Sequence, residues 1–331
     1  MRLSIVTTLY RSANFIQEFH RRAMAAAEQI TDDIELVFVN DGSPDTSLDL
    51  AVTLHQQDPR VVVVDLSRNF GHHRAMMAGL AEATGDVVFL IDSDLEEDPE
   101  HLLPFYHEMQ KADCDVVYGV QEKRKGTWME IASGNLFYWL LRKLGGVNIP
   151  RNLTTTRIMS RRYVRELIRH REREIVISAL WVLTGFRQIP FSVKRNERKQ
   201  VTNYGLMVKL RLTIDFVTSF SSNLLYYVFY AGLLISGVSF LAMIYFVTKF
   251  ATTGQILAGW TSLIASIWMF GGAAMLLLGL IGIYVGRIFE ETKQRPYVII
   301  RDIFRAENPQ GKSIGAFLEG SGTQSGVARS S

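Results

Sequence analysis

Two long stretches without a single charge constrain this chain more than anything else in it. No Asp, Glu, Lys or Arg occurs from Phe216 to Thr248, and none from Thr252 to Gly286. Each stretch exceeds the roughly 20 residues that a helix needs to cross the hydrocarbon core of a bilayer. A helix in a soluble core normally keeps a polar outer face, which neither stretch offers. Two transmembrane helices are therefore expected, near Leu224–Phe246 and Leu263–Val285. Lys209 and Arg211 precede the first, and Arg287, Lys293 and Arg295 follow the second, while the connecting loop carries only Lys249. Positive flanks favour the cytoplasmic side. The reading is a multi-pass protein of the inner (plasma) membrane, with the N-terminal domain and both termini cytoplasmic. No signal peptide is expected, since Leu3–Thr7 reads as a strand and no long apolar core follows Arg2. The one cysteine, Cys114, excludes an internal disulfide and fits a reducing compartment.

The first 120 residues have a different texture. Leu3–Thr7, Ile34–Asn40, Val61–Asp65, Val87–Ile91 and Val116–Gly119 are short β-branched or apolar runs. Helix-like stretches lie between them, near Phe15–Gln29, Ser47–Gln57, Arg74–Ala83 and Pro99–Lys111. Alternation at this spacing predicts βαβ units and a mostly parallel sheet. Val61–Val64 lacks polar alternation, as a strand covered on both faces should. Residues 121–222 follow as a separate region, then the spans over 223–286, then a tail over 287–331. Past Ala306 that tail is rich in Gly, Ser and Gln and is expected to be disordered.

Charge is concentrated in the middle. Between Gln121 and Arg211 there are 20 Lys or Arg against 6 Asp or Glu, while the remainder holds 16 against 27. Such a block suits an anionic partner such as lipid headgroups or a lipid phosphate. Nucleic acid is a poor fit, because the block adjoins the spans and carries no reading motif. Ser133–Leu144 has the pattern of an amphipathic helix. Met207, Leu210, Ile214 and Val217 share one helical face, as in a helix lying in the membrane interface.

In parallel α/β sheets, ligands bind beyond the carboxyl ends of the strands. Thr8 and Tyr10, Asp41-Gly42-Ser43, Ser67-Arg68-Asn69 and Asp92-Ser93-Asp94 all follow predicted strands. Two carboxylates at i and i+2 after a buried strand suit a divalent ion and a ribose, and hard Mg²⁺ or Mn²⁺ would neutralise a nucleotide diphosphate. Asp41 can accept from a base N–H, although an ordinary turn would look the same, with Ser43 or Asp45 capping the next helix. Tyr10 can stack on a base or simply pack. His72 and His73 are adjacent, which suits one metal poorly, and they read as helix-start residues.

Taken in order, these residues resemble the polyprenyl-phosphate branch of glycosyltransferase family 2, which has a GT-A fold. The motifs are Thr8-Leu9-Tyr10, Val39-Asn40-Asp41-Gly42-Ser43, Leu66-Ser67-Arg68-Asn69-Phe70-Gly71-His72, Asp92-Ser93-Asp94-Leu95 and Asp98-Pro99. Arg157-Ile158-Met159, Gly185-Phe186-Arg187, Thr218-Ser219-Phe220 and Gly286-Arg287-Ile288 continue the series to about residue 305. The resemblance implies that Thr8, Tyr10 and Asp41 hold the base, usually uracil. It implies that Asp92 contacts the ribose side and that Asp94 binds the metal, Mg²⁺ or Mn²⁺. It also implies that Arg124, and more weakly Ser133, hold the acceptor phosphate, with Arg157 a further catalytic candidate. The expected reaction is inverting transfer of a hexose, with UDP as the carrier, to a polyprenyl phosphate such as undecaprenyl phosphate. Such a product would serve envelope polysaccharide or glycan decoration. Transfer of an amino sugar, or of mannose from GDP-mannose, is a related alternative, and a homo-oligomer is compatible with the branch. One departure stands out: the branch's Gly-Asp-Phe-Arg is Thr154-Thr155-Thr156-Arg157 here, so Thr155 replaces an acidic residue. That motivates a further alternative, a non-catalytic membrane scaffold that binds nucleotide sugar.

Overall fold

The computed structural model describes residues 1–121, 150, 152–170, 177–193, 259–293 and 295–306, with scattered positions between 228 and 252. The chain divides into two compact units. One comprises Met1–Thr127, Ile149–Thr202 and Arg295–Ser331, and the other Trp128–Asn148 and Asn203–Gln294.

The first unit is built on eight strands: β1 (Leu3–Leu9), β2 (Ile34–Asn40), β3 (Val61–Leu66), β4 (Val87–Leu90), β5 (Val116–Gln121), β6 (Leu153–Ser160), β7 (Gln188–Val193) and β8 (Ile300–Phe304). Their order across the sheet is β7-β5-β6-β4-β1-β2-β3-β8. The first four strands pair in parallel, and every residue of β1 to β4 is buried. Helices between them, α1 (Ile16–Ala27), α2 (Ser47–Gln57) and α3 (His72–Glu82), supply the crossovers that parallel pairing requires. Helix α1 turns Ile16, Phe19, Ala23 and Ala27 inward at helical spacing, and Phe19 meets Phe38 of β2 at 6.1 Å between ring centroids. A 3₁₀ turn at Pro99–His101 leads into α4 (Leu102–Ala112), whose Phe105 packs edge-on against Phe89 of β4.

The sheet departs from the mostly parallel expectation at both sides. β6 runs antiparallel to β4 and to β5, β8 runs antiparallel to β3, and only β7 on β5 restores parallel pairing. The sheet is therefore mixed. It also extends well past residue 120, because β6 and β7, with the short helices α5 (Arg161–Leu167) and α6 (Ile177–Leu183), belong to the same unit. β8, which follows the last apolar helix, pairs Val63 with Phe304 and Val64 with Ile303. It covers an edge that would otherwise expose a row of unpaired backbone groups.

In the second unit, α7 (Trp260–Thr292) is 33 residues long. Its window Met269–Gly286 has a mean hydropathy of 2.0 with none of it buried, and it is the one helix among the described residues long and apolar enough to cross a membrane. The expected first span, 224–246, lies largely outside the described residues. So do the expected interfacial helices and the tail beyond 306.

Close packing of α3 on the sheet depends on Gly79. A Cβ there would sit 2.6 Å from Val6 Cγ1 and 2.7 Å from Val39 Cγ2. Overpacking of this kind costs about 1–3 kcal/mol. Gly79→Ala should lower the thermal unfolding midpoint of the detergent-solubilised protein; an unchanged midpoint would contradict this packing.

Candidate active site

The parallel register sets the site. Leu9 of β1 pairs with Asn40 of β2, and Val6 of β1 pairs with Leu90 of β4. The residues that follow these strand ends, Tyr10, Asp41 and Asp92, therefore emerge along one edge of the sheet, as the sequence predicts.

The side chains of Thr8 and Asp92 are tied together through His72. The imidazole of His72, the first residue of α3, hydrogen-bonds Thr8 Oγ1 through Nδ1 at 3.0 Å. It reaches Asp92 Oδ1 through Nε2 at 3.3 Å. A carboxylate can only accept, so Nε2 carries the proton, and in the neutral ring Nδ1 accepts from the Thr8 hydroxyl. Burial pushes the His72 pKa down, but the hydrogen bond to Asp92 and the charges of Asp92, Asp41 and Asp94 outweigh it, and the net shift is upward. His72 does start a helix, as the sequence reading holds, and it also joins the tips of β1 and β4. Nothing in the sequence marks this second role, which is set by contact with Thr8, 64 residues away in the chain.

Asp41 is almost fully buried, and its carboxylate accepts from Phe70 N–H at 2.7 Å and Gly71 N–H at 3.0 Å. Burial raises its pKa against the lowering effect of those two bonds. Asp41 thus organises the loop before α3, and lone pairs remain on it for a further donor. Gly42, with φ +57°, is required here, since a Cβ would lie 2.4 Å from Asn69 N. Tyr10 is exposed at the edge, with the Arg11 guanidinium 5.6 Å from its ring centroid.

The loop that carries the paired aspartates is held from below. Ser93 is buried and donates to Thr8 O at 2.9 Å. Asp94 Oδ1 accepts from Glu96 N–H at 3.0 Å. Glu97, buried and absent from the sequence-level candidates, accepts from the Thr156 backbone N–H at 3.1 Å and from the Thr156 hydroxyl. Burial pushes its pKa up. The Thr-Thr-Thr run of β6 therefore receives a carboxylate from this loop. A single carboxyl in an acidic loop gives no hint in sequence that it turns inward.

Arg157 occupies the interior. It is 1% exposed, stacks on Trp181 of α6, and donates to Thr155 O at 3.2 Å and Thr154 O at 3.3 Å. Burial pulls its pKa down to about 9, still charged at neutral pH. Arg157 pairs with Leu90, the last residue of β4, so β6 carries it at the level of the strand ends, with its side chain buried against Trp181. Arg124 and Ser133 lie outside the described residues. No group of three metal-ligating side chains stands preassembled among the described residues. The donor set of Asp92 and Asp94 nonetheless suits Mg²⁺ or Mn²⁺, which characteristically takes one or two carboxylates and completes its shell with phosphates and water.

This mixed α/β sheet, with carboxylates gathered at its strand ends, is a GT-A-like glycosyltransferase fold. The Glycosyl transferase family 2 profile matches residues 4–168. A Mycobacterium tuberculosis protein named as a glycosyltransferase is 48% identical over 307 residues, covering 93% of this chain and 90% of its own length. An uncharacterized glycosyltransferase of Bacillus subtilis is 37% identical, covering 92% and 95%. The prophage bactoprenol glucosyl transferase homolog of Escherichia coli is 30% identical, covering 92% and 99%. The chain belongs to glycosyltransferase family 2 and is an enzyme of that class.

Asp45 anchors the Tyr10–Ser47 corner of the site, bonding Ser43, Ser47 and Ala13 N–H. Burial raises its pKa, but these bonds outweigh it and hold the carboxyl down at about 2. A depressed Asp contributes stability that is present above its unfolded value of about 3.9 and lost as pH falls through the folded value. Wild type should lose stability between about pH 4 and 2 more steeply than Asp45→Asn; equal slopes in acid unfolding would contradict the anchor.

Proposed function

We propose that this enzyme transfers a hexose from a UDP-sugar to a polyprenyl phosphate at the cytoplasmic face of the membrane, with inversion. The support is strongest in one observation: Asp92, carried on the loop with Asp94, is fixed beside Thr8 by His72 at the carboxyl edge of the sheet. End-to-end similarity to proteins named bactoprenol glucosyl transferase supports a lipid-phosphate acceptor. The apolar α7 agrees with a bilayer setting, in which the acceptor lies along the interface and the two expected spans anchor the enzyme.

In this reading the base lies against Tyr10, with Thr8 and Asp41 available to its polar edge. Asp92 meets the ribose side, and Asp94 holds the divalent ion. That ion, when bound, neutralises charge developing on the leaving diphosphate. An oxygen of the lipid phosphate attacks the anomeric carbon from the opposite face as the bond to the nucleotide diphosphate breaks. The phosphate is already ionised near neutral pH, so no strong base is required, and Arg124 and Ser133 would orient it. Orientation and charge neutralisation then supply most of the rate. Arg157 acts indirectly, by keeping β6 rigid behind the Asp92–Glu97 loop. The Glu97 carboxyl on Thr156 offers a reason why Thr155 need not be acidic, which favours an enzyme over a nucleotide-sugar scaffold.

Purified protein with undecaprenyl phosphate, Mn²⁺ and a panel of labelled UDP- and GDP-sugars tests this. One UDP-hexose should yield a sugar lipid, and Asp94→Ala should reduce that by at least about 100-fold, a range seen when transition-state charge stabilisation is removed. No transfer from any donor, with nucleotide binding intact, would favour the scaffold.

A further inference from the structure

The strand that follows the apolar helix reaches the nucleotide loops from behind. Arg301 of β8 donates from Nη1 to Asp65 Oδ2 at 3.2 Å and from Nη2 to Ser67 O at 2.9 Å. Ser67 N–H donates to Ile299 O at 2.9 Å. Asp65 is 3% exposed at its side chain, and its other oxygen accepts from Asn40 Nδ2 at 2.8 Å. Asn40 Oδ1 in turn accepts from Ser43 N–H at 3.2 Å. The chain of contacts thus runs from β8 through Asp65 and Asn40 into the Asp41-Gly42-Ser43 turn. A second branch runs through Ser67 into the loop whose Phe70 and Gly71 amides hold Asp41. The two loops also touch directly at Gly42 and Asn69.

Covering the β3 edge needs only the backbone of β8. The reach of Arg301 exceeds that: one guanidinium meets a buried carboxylate and a loop carbonyl, and both lead to Asp41. Removing it leaves Asp65 buried without this charge partner, a costly state that the Asn40 amide alone offsets poorly. Arg301 itself is more than half exposed and lies behind the loops, so it positions the site without entering it.

We propose that Arg301, on the strand after the apolar helix, is a positioning residue of the nucleotide site, holding the 41–43 and 67–71 loops through Asp65 and Ser67. The consequence for binding rests on the donor-site reading above; the holding of the loops does not. The full chain in detergent is compared as wild type, Arg301→Ala, Arg301→Lys and, as a control on the same strand, Asp302→Ala. Hydrogen exchange is followed by mass spectrometry, and affinity for UDP with Mn²⁺ by calorimetry. Arg301→Ala should speed exchange in the 40–43 and 66–71 peptides by about tenfold while leaving α1 and β4 unchanged. It should weaken UDP by about tenfold, a loss equal to one decade of affinity, and raise KM for the sugar nucleotide with kcat within about twofold. Arg301→Lys, which keeps the charge, should recover part of both effects, and Asp302→Ala should match wild type. Should Arg301→Ala not fold, Arg301→Lys decides, since losing the paired fork geometry must still loosen both loops measurably. Unchanged loop exchange in the Arg301 variants, or equal loosening by Asp302→Ala, would overturn the proposal. Faster loop exchange in a protein whose wild type binds no UDP would leave the positioning role standing and sink the donor-site reading instead.

Discussion

Everything at the site depends on β1 being hydrogen-bonded in register between β2 and β4. Parallel pairing on both sides requires that β1 be wholly buried, and all seven of its residues are. Because the three strands end near one line, the chain must turn there three times, and each turn exposes backbone amides and short polar side chains to a shared space. A one-residue slip of β1 would turn Thr8 to the opposite face of the sheet and separate it from His72. The site is thus a consequence of register before it is a matter of individual carboxylates.

Negative charge at such an edge has to be managed until a cationic or nucleotide partner arrives. Here each acid has a different arrangement. Asp41 is spent on two backbone amides, Asp92 on an imidazole, Asp94 on the Glu96 amide and Glu97 on the hydroxyl and amide of Thr156. Asp41 and Glu97 are buried and each holds a loop in place, while Asp92 and Asp94 keep part of their surface in solvent. Those two acids with accessible oxygens are the ones a hard cation and a ribose can use. The buried acids fix the loops that present them.

The parallel half of the fold was legible in the sequence because its strands are unbroken β-branched runs bounded by turn residues. β2 was read to the residue, and β1 was read two residues short because Thr8 and Leu9 looked like the start of a loop. The antiparallel half was hidden. Leu153–Ser160 carries Thr154, Thr155, Thr156 and Arg157, a polar stretch that reads as loop until Glu97 and Trp181 supply its partners. β8 was hidden for another reason: it follows an apolar helix, where a tail is the default expectation, and only pairing with β3 makes it a strand. The same distinction applies to the site. That Thr8, Asp41, Asp92 and Asp94 gather at or just past strand ends was legible from their positions next to apolar runs. The contacts of His72, Glu97 and Arg301 were not legible, because they span 64, 59 and 236 residues of chain.

A structure of the protein with UDP and Mn²⁺ bound tests the central claim most directly. Uracil should lie at the Tyr10 and Asp41 turns, the ribose by Asp92, and the manganese anomalous signal on the carboxylate of Asp94. Nucleotide seated away from the ends of β1, β2 and β4, or a metal peak with no oxygen of Asp94 in its shell, would contradict the account.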